Sequence, residues 1–136
     1  MAAGIRAGAS AIAVLALGVS LSACGGSQDA AVSEVAEGFY AAVEDGDGAA
    51  ACALLVPATR DELEQSSGQE CAAAILEEVP LAHGDGGIVE VYDTMAQVRR
   101  DGDTAFLARL PDGWRVLAVA CTPRDVGPYD CRVKGA

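Results

Sequence analysis

The spacing of hydrophobic positions predicts an amphipathic helix as the first element after the apolar leader of the chain. Asp29 is expected as its N-cap and Gly46 as its C-terminal stop, because a carboxylate can accept from the first free N–H groups and glycine favours the left-handed turn that ends helices. Apolar residues recur there at steps of three and four residues, the period of a helix packed on one side: Val32, Val35, Ala36, Phe39 and Val43.

Three further short helices are predicted between residues 47 and 79. Asp47 is a candidate cap for a helix that Pro57 ends. The segments Thr59–Glu62 and Ser67–Glu70 both have the capping-box pattern, in which a hydroxyl residue precedes an acid by three positions. Each box therefore predicts the start of a helix.

The periodicity changes from helical to strand-like after Gly86-Gly87. Strands are predicted over residues 88–92, 95–99, 104–110, 114–121 and 131–134, separated by turn sequences rich in glycine, aspartate and proline. Helices followed by an antiparallel meander predict an α+β domain, with N-terminal helices packed on a curved antiparallel sheet. The residues expected to face inward are apolar: Phe106, Ala108, Leu110, Val116 and Ala118.

The N-terminal segment has the features of a bacterial lipoprotein signal. Arg6 is followed by an apolar run, and Leu21-Ser22-Ala23 places small residues directly before Cys24. We expect a signal peptide over 1–23, a lipidated Cys24 with a flexible tether over 24–30, and a single domain over 31–136. The expected location is the extracytoplasmic side of the cell membrane, with the lipid on Cys24 as the anchor.

Acidic residues dominate the helical half of the chain. The whole chain has a net charge of −11, and removal of the leader with its one charge, Arg6, leaves −12. Such a charge would repel phosphates, so we do not expect the protein to bind nucleic acid. Adsorption to an anionic membrane surface is also disfavoured unless a lipid anchors the chain. We interpret most of the acids as a solvated face.

The cysteines that follow Cys24 are even in number, and outside the cytoplasm this indicates two disulfides. Three connectivities are possible, and chain order favours Cys52 with Cys71 and Cys121 with Cys131. Zinc is the alternative, but no pair has the tight spacing of a zinc site and His83 is isolated. We expect no metal and no cofactor.

The segment Phe39-Tyr40-Ala41-Ala42-Val43, with Gly46-Asp47 and the helix at residues 50–55, resembles the nuclear transport factor 2-like superfamily. The chain is similar in particular to small uncharacterised lipoproteins of high-GC Gram-positive bacteria with that fold and paired cysteines. The resemblance implies a cone closed by a curved sheet. It does not select a function, because the superfamily includes ketosteroid-isomerase-like and polyketide-cyclase-like enzymes and many non-catalytic members.

An enzyme on this scaffold would need a base and a hydroxyl donor that face a pocket. Candidate bases are His83, Asp85 and Asp93, and candidate donors are Tyr40 and Tyr92. Each has a simpler interpretation: the first two lie in a glycine-rich loop, Asp93 suits a turn, and Tyr40 suits the edge of the core with a solvated hydroxyl.

Two other features are interpreted structurally. Trp114 is expected to anchor the core, and Asp45-Gly46-Asp47-Gly48 is expected to form a corner between helices, since alanines follow where calcium ligands would be needed.

Two functions remain open on the sequence. The first is a non-catalytic domain that binds a small apolar ligand or a protein partner, and the second is an isomerase or cyclase that uses a pocket Asp or His. Because the residues expected to face inward are apolar, the sequence favours the binding domain.

Overall fold

The structure is a computed structural model that describes residue 4 and residues 24–81 and 86–136. Its secondary-structure elements follow in the order expected for an α+β domain, in which the helices pack on one antiparallel sheet. They are α1 (Cys24–Glu44), α2 (Gly48–Ala53), α3 (Pro57–Ser67), α4 (Cys71–Glu78), β1 (Ile88–Tyr92), β2 (Met95–Arg100), β3 (Asp103–Leu110), β4 (Gly113–Thr122) and β5 (Asp130–Lys134). Within the described residues, no helix is long and apolar enough to cross a membrane.

Helix α1 buries the predicted apolar stripe. Val32, Ala36, Phe39 and Val43 are all buried, and Val35 packs at the margin of the same core. Burial of a large apolar side chain contributes about 1.5–3 kcal/mol, so this stripe holds the helix on the sheet.

Helix α1 begins earlier than predicted. It starts at Cys24, so Asp29 lies within the helix and is not its N-cap, and the segment expected to be a flexible tether is helical. The Gln28 side chain accepts a hydrogen bond from the indole N–H of Trp114 at 3.2 Å, which holds this first part of the helix against β4. Trp114 itself is buried in the core, as predicted.

The corner between α1 and α2 follows the prediction. Gly46 has a φ of 72°, and the Asp47 carboxylate accepts from the backbone N–H of Ala50 at 3.0 Å. Gly48 then lies so close to α4 that a Cβ atom there would be 1.8 Å from the carbonyl oxygen of Ala72. Only glycine permits this approach of the two helices.

The starts of α3 and α4 differ from the capping-box predictions. Pro57 begins α3 because its fixed φ suits a first helical position, and Thr59 lies inside the helix, where its hydroxyl donates to the carbonyl oxygen of Leu117 at 2.7 Å. Helix α4 begins at Cys71, whose backbone N–H donates to the side chain of Glu64 at 3.1 Å. An acid one helix earlier thus replaces the predicted local cap.

Both predicted disulfides are present. Cys52–Cys71 joins α2 to α4, and Cys121–Cys131 joins the neighbouring strands β4 and β5. Each disulfide staples two elements within one half of the chain, as chain order suggested.

The sheet is an antiparallel meander in the order β1-β2-β3-β4-β5. Strand β5 pairs only with the second half of β4. Along the same edge, the first half of β4 is paired by the chain between α2 and α3, through a bridge from Leu55 to Val116. The sheet has one face toward the helices and one face, hereafter the outer face, away from them.

The prediction of which β3 residues face the helices is wrong. Ala105 and Leu107 lie in the core, whereas Phe106, Ala108 and Leu110 are only partly buried and alternate with them on the outer face. Both sets contain apolar residues, so alternation alone did not distinguish them.

Strand β4 changes its alternation because its register with β3 shifts twice. Phe106 pairs with Ala118 but its neighbour Leu107 pairs with Val116, so β4 carries an extra residue at this point. Val116 is therefore in the core, as predicted, whereas Ala118 lines a groove on the outer face. A second shift is accompanied by a φ of 56° at Ala120.

Candidate functional site

A buried polar cluster lies between α1 and the turn that joins β2 to β3. Tyr40 follows the apolar stripe of α1 and is 2% exposed, which corrects the expectation of a solvated hydroxyl. Its ring meets that of Phe39 edge to face with centroids 5.5 Å apart. The helix therefore directs a polar hydroxyl into the interior of the domain.

Asp103 receives this hydroxyl. The Tyr40 O–H donates to one carboxylate oxygen of Asp103 at 2.7 Å, and the backbone N–H of Cys121 donates to the other at 2.9 Å. Asp103 is 4% exposed. Hydrogen bonds to a buried carboxylate are short and strong, so the pair connects α1, β3 and β4 at one point.

Arg100 closes the cluster from the β2 side. Its guanidinium carbon lies 4.3 Å from the centroid of the Tyr40 ring, which is a cation–π contact. Beside it is a shallow concavity of about 290 Å³, which Glu37 and Glu44 also line. Arg100, Tyr40 and these two acids of α1 thus line one concavity at the surface.

Burial raises the pKa of Tyr40 far above its usual value, and the negative charge and hydrogen bond of Asp103 raise it further. Arg100 opposes this change but does not outweigh it. Tyr40 is therefore a neutral hydrogen-bond donor at every physiological pH.

The chemistry open to this cluster is limited by its own hydrogen bonds. The Tyr40 hydroxyl already gives its single proton to Asp103, and each oxygen of Asp103 already has a donor. A substrate oxyanion would have to displace Asp103 to receive the tyrosine proton. The cluster consequently suits a structural link between helix and sheet.

Among the predicted catalytic residues that the structure describes, Asp93 and Tyr92 do not lie near Tyr40. His83 and Asp85 lie outside the described residues. Asp93, with a φ of 56°, forms the turn between β1 and β2, and Tyr92 beside it is 61% exposed. This turn and Arg100 are at opposite ends of β2, about 17 Å apart by the rise of an extended strand.

Asp103 and Arg100 were not identified as site residues from the sequence. Both belong to the run Arg100-Asp101-Gly102-Asp103, which predicts a hairpin turn, and the polar residues of such turns are usually exposed. One signal was available: Asp103 is two residues from Ala105 and four from Leu107, so it shares their face of β3. With the correct face assigned, the sequence would have placed a carboxylate against the helices.

A second candidate site is a groove on the outer face of the sheet. It has a volume of about 490 Å³ and an almost wholly apolar lining. Phe106, Leu117 and Ala118 contribute to its floor, and Pro128 and Tyr129 form a wall from the segment that precedes β5. We call this feature the outer groove.

The wall of the outer groove is held by specific contacts. Tyr129 packs edge to face on Phe106 with ring centroids 5.1 Å apart, and its hydroxyl accepts from the side-chain amide of Gln97 at 3.1 Å. The disulfide between Cys121 and Cys131 closes the segment that carries Tyr129. Tyr129 is therefore held in place both by its contacts with β2 and β3 and by the disulfide that closes its segment.

Lys134 is the charged side chain that lines the outer groove. It pairs across the sheet with Ala118, which pairs in turn with Phe106. At about 4.8 Å between neighbouring strands, the Lys134 backbone is about 10 Å from that of Phe106. An ammonium group thus lies within reach of an apolar floor.

No group of His, Cys, Asp or Glu suited to a metal ion is found in the part of the chain that the structure describes. No family model matches the chain, and no curated protein or solved structure matches it. The assignment of function therefore depends on the two sites themselves.

Proposed function

We propose that the protein is a membrane-anchored extracytoplasmic lipoprotein whose domain binds an apolar ligand, without catalysis, in the outer groove. The observation that carries this proposal is the contrast between the two sites. The polar cluster at Tyr40 is buried and internally hydrogen-bonded, whereas the outer groove is open and apolar.

The volume and lining of the outer groove support ligand binding. Pockets for small ligands typically have volumes of about 300–1,000 Å³, apolar walls and a few polar groups that fix orientation. The outer groove has a volume of about 490 Å³ and includes two aromatic side chains, Phe106 and Tyr129. A protein partner that inserts an apolar side chain is the alternative occupant.

The isomerase or cyclase hypothesis draws less support from these contacts. It requires an unengaged donor opposite a base, yet Tyr40 donates to Asp103 and the exposed pair Asp93 and Tyr92 lies at the far end of β2.

The lipoprotein part of the proposal rests on the sequence Leu21-Ser22-Ala23-Cys24. It is tested by feeding labelled fatty acid to cells that express the intact chain or its Cys24→Ala variant. Label in the wild type alone is the expected result, and an unlabelled wild-type protein would refute the anchor.

We further propose that the domain is nuclear transport factor 2-like. Four helices that precede a five-stranded antiparallel sheet, with two register shifts in β4, support this assignment. An experimental structure in which the sheet is flat and does not curl around α1 would contradict it.

The binding function is tested with native mass spectrometry of the protein that begins at Gly25, followed by organic extraction of any retained molecule. Phe106→Arg places a charge in the outer groove and should abolish retention. Tyr92→Arg is the matched control, because Tyr92 lies on the same sheet face but does not line the groove. Equal retention by both variants would show that the ligand binds elsewhere. Retention of nothing, with a protein captured at Phe106 by a photocrosslinker, would favour the partner version.

A further inference from the structure

The outer groove combines an apolar floor with a single lysine, and this combination indicates the chemistry of its ligand. Phe106, Ala118 and Lys134 form one row across β3, β4 and β5. An alkyl chain laid along this row would contact the ring and the methyl group while its head reaches the ammonium group. The ligand that fits is therefore an amphiphile with an anionic head.

Lys134 is distinguished from most other bases of the domain by its lack of an acidic partner. Four arginines form ion pairs: Arg60 with Glu64, Arg99 with Glu90, Arg115 with Asp112, and Arg132 with Glu78. Arg100 lies over the Tyr40 ring. Within the described residues, Lys134 has neither an ion pair nor a hydrogen bond to its side chain. Its ammonium group is available to a ligand at the groove.

The acids of the helical layer do not strongly oppose an anion at this position. Twelve acids against Arg60 alone lie between Asp29 and Glu78, on the helical layer. The outer groove is on the other side of the sheet, and a packed layer is about 10 Å thick. Since the Debye length at physiological ionic strength is about 8 Å, much of the repulsion from those acids is screened.

We infer that the outer groove binds a free single-chain anionic amphiphile of the fatty-acid type. Its carboxylate pairs with Lys134, and its alkyl chain packs on Phe106 and Ala118 against the wall formed by Pro128 and Tyr129. This inference rests on the proposed function of the groove and adds the charge and shape of the ligand. A diacyl phospholipid in a bilayer is left out of the inference, because the groove has a volume of only about 490 Å³ and one charged side chain in its lining.

The test uses isothermal titration calorimetry with soluble amphiphiles below their micelle concentrations and the protein that begins at Gly25. That chain includes every helix and strand of the domain from Gly25 onward, together with the core that they form. Decanoate, 1-decanol and decyltrimethylammonium share one chain length and differ in head charge. Octanoate, decanoate and dodecanoate vary the chain length with one head.

Decanoate should bind more tightly than 1-decanol, and decyltrimethylammonium should bind most weakly. Each methylene buried along the groove should tighten binding roughly fourfold, until the chain exceeds the floor. Lys134→Gln should weaken decanoate binding by about twofold to fivefold, the range expected of an exposed ion pair, and leave 1-decanol unchanged. Lys134→Glu should reverse the preference toward the cationic head. Arg109→Gln makes the same charge change at an exposed position outside the groove and should have no effect.

The outcomes separate this inference from the proposed function. Equal binding of the three heads, unaffected by Lys134→Gln, would refute the anionic ligand and leave the apolar groove in place. Binding of none of the amphiphiles, with an apolar molecule still retained in native mass spectrometry, would refute the single-chain ligand alone. Cosedimentation with vesicles of anionic phospholipid, together with failure to bind decanoate, would assign the site to a bilayer and overturn the inference.

Discussion

Replacing Tyr40 with phenylalanine is the sharpest test of the structural role of the buried cluster. The change keeps the ring, and with it the contacts to Phe39 and Arg100, but removes the hydroxyl that donates to Asp103 at 2.7 Å. A hydrogen bond to a charged group contributes about 1.5–3 kcal/mol, so Tyr40→Phe should lower the free energy of unfolding by about that amount. Since small domains are stable by about 5–15 kcal/mol, the loss is readily measured.

Asp103→Ala should cost more, because it leaves two buried donors without an acceptor. The Tyr40 hydroxyl and the Cys121 backbone N–H would each lose their partner, at about 1–3 kcal/mol per group. In the double variant the Tyr40 contribution has already been removed, so the two costs should not add, and a coupling of about 1–2 kcal/mol is expected.

The assay is urea denaturation with the disulfides intact, followed by circular dichroism and by the fluorescence of Trp114, the sole tryptophan. Tyr92→Phe is the control, because Tyr92 is 61% exposed and its change should stay within about 0.5 kcal/mol. A Tyr40→Phe variant as stable as this control would show that the hydrogen bond to Asp103 does not stabilise the domain, and a solvated hydroxyl would then be the better description.

Three further predictions concern packing, pH and the disulfides. Gly48→Ala should destabilise the domain by about 3 kcal/mol or more, because its Cβ would meet the Ala72 carbonyl. Gly38→Ala has 3.7 Å to the nearest side-chain atom and should stabilise α1 by about 0.5–1 kcal/mol. Thermal unfolding that ranks the two variants alike would contradict this prediction. Because the pKa of Tyr40 is raised in the folded protein, the unfolded chain releases the tyrosine proton first as the pH rises. The stability that this contributes is fully present below about pH 10, and above it the free energy of unfolding falls by up to about 1.4 kcal/mol per pH unit. Tyr40→Phe should remove this contribution to the pH dependence, measured by urea denaturation at several pH values. Removal of either disulfide by paired alanine substitution should cost about 3 kcal/mol, and peptide mapping without reduction should recover the two pairings within each half of the chain.

Local sequence patterns predicted the elements well where the physical signal is itself local. The stripe on α1, the cap at Asp47 and the five strands depend on neighbouring residues, and all of them are present. The disulfide pairings could be predicted for a similar reason, since each joins elements close together in the chain.

The predictions failed where a distant partner decides the outcome. Thr59 begins a capping-box pattern, but its hydroxyl donates to the backbone carbonyl of Leu117 on β4. The start of α4 is capped instead by the Glu64 side chain, which accepts from the Cys71 N–H. The face of β3 was misassigned because both faces are apolar, and the register shift at Ala118 is not visible in the alternation. The hydrogen bond between Tyr40 and Asp103 joins residues that are 63 positions apart.

We propose that the ligand binds on the outer face of the sheet and not at the buried polar cluster. The most direct measurement is an NMR titration of the isotopically labelled protein that begins at Gly25 with decanoate. Binding in the outer groove should produce amide shift changes centred on Phe106, Ala118 and Lys134, which line it. Changes centred on Tyr40 and Arg100, or no saturable change anywhere, would contradict it.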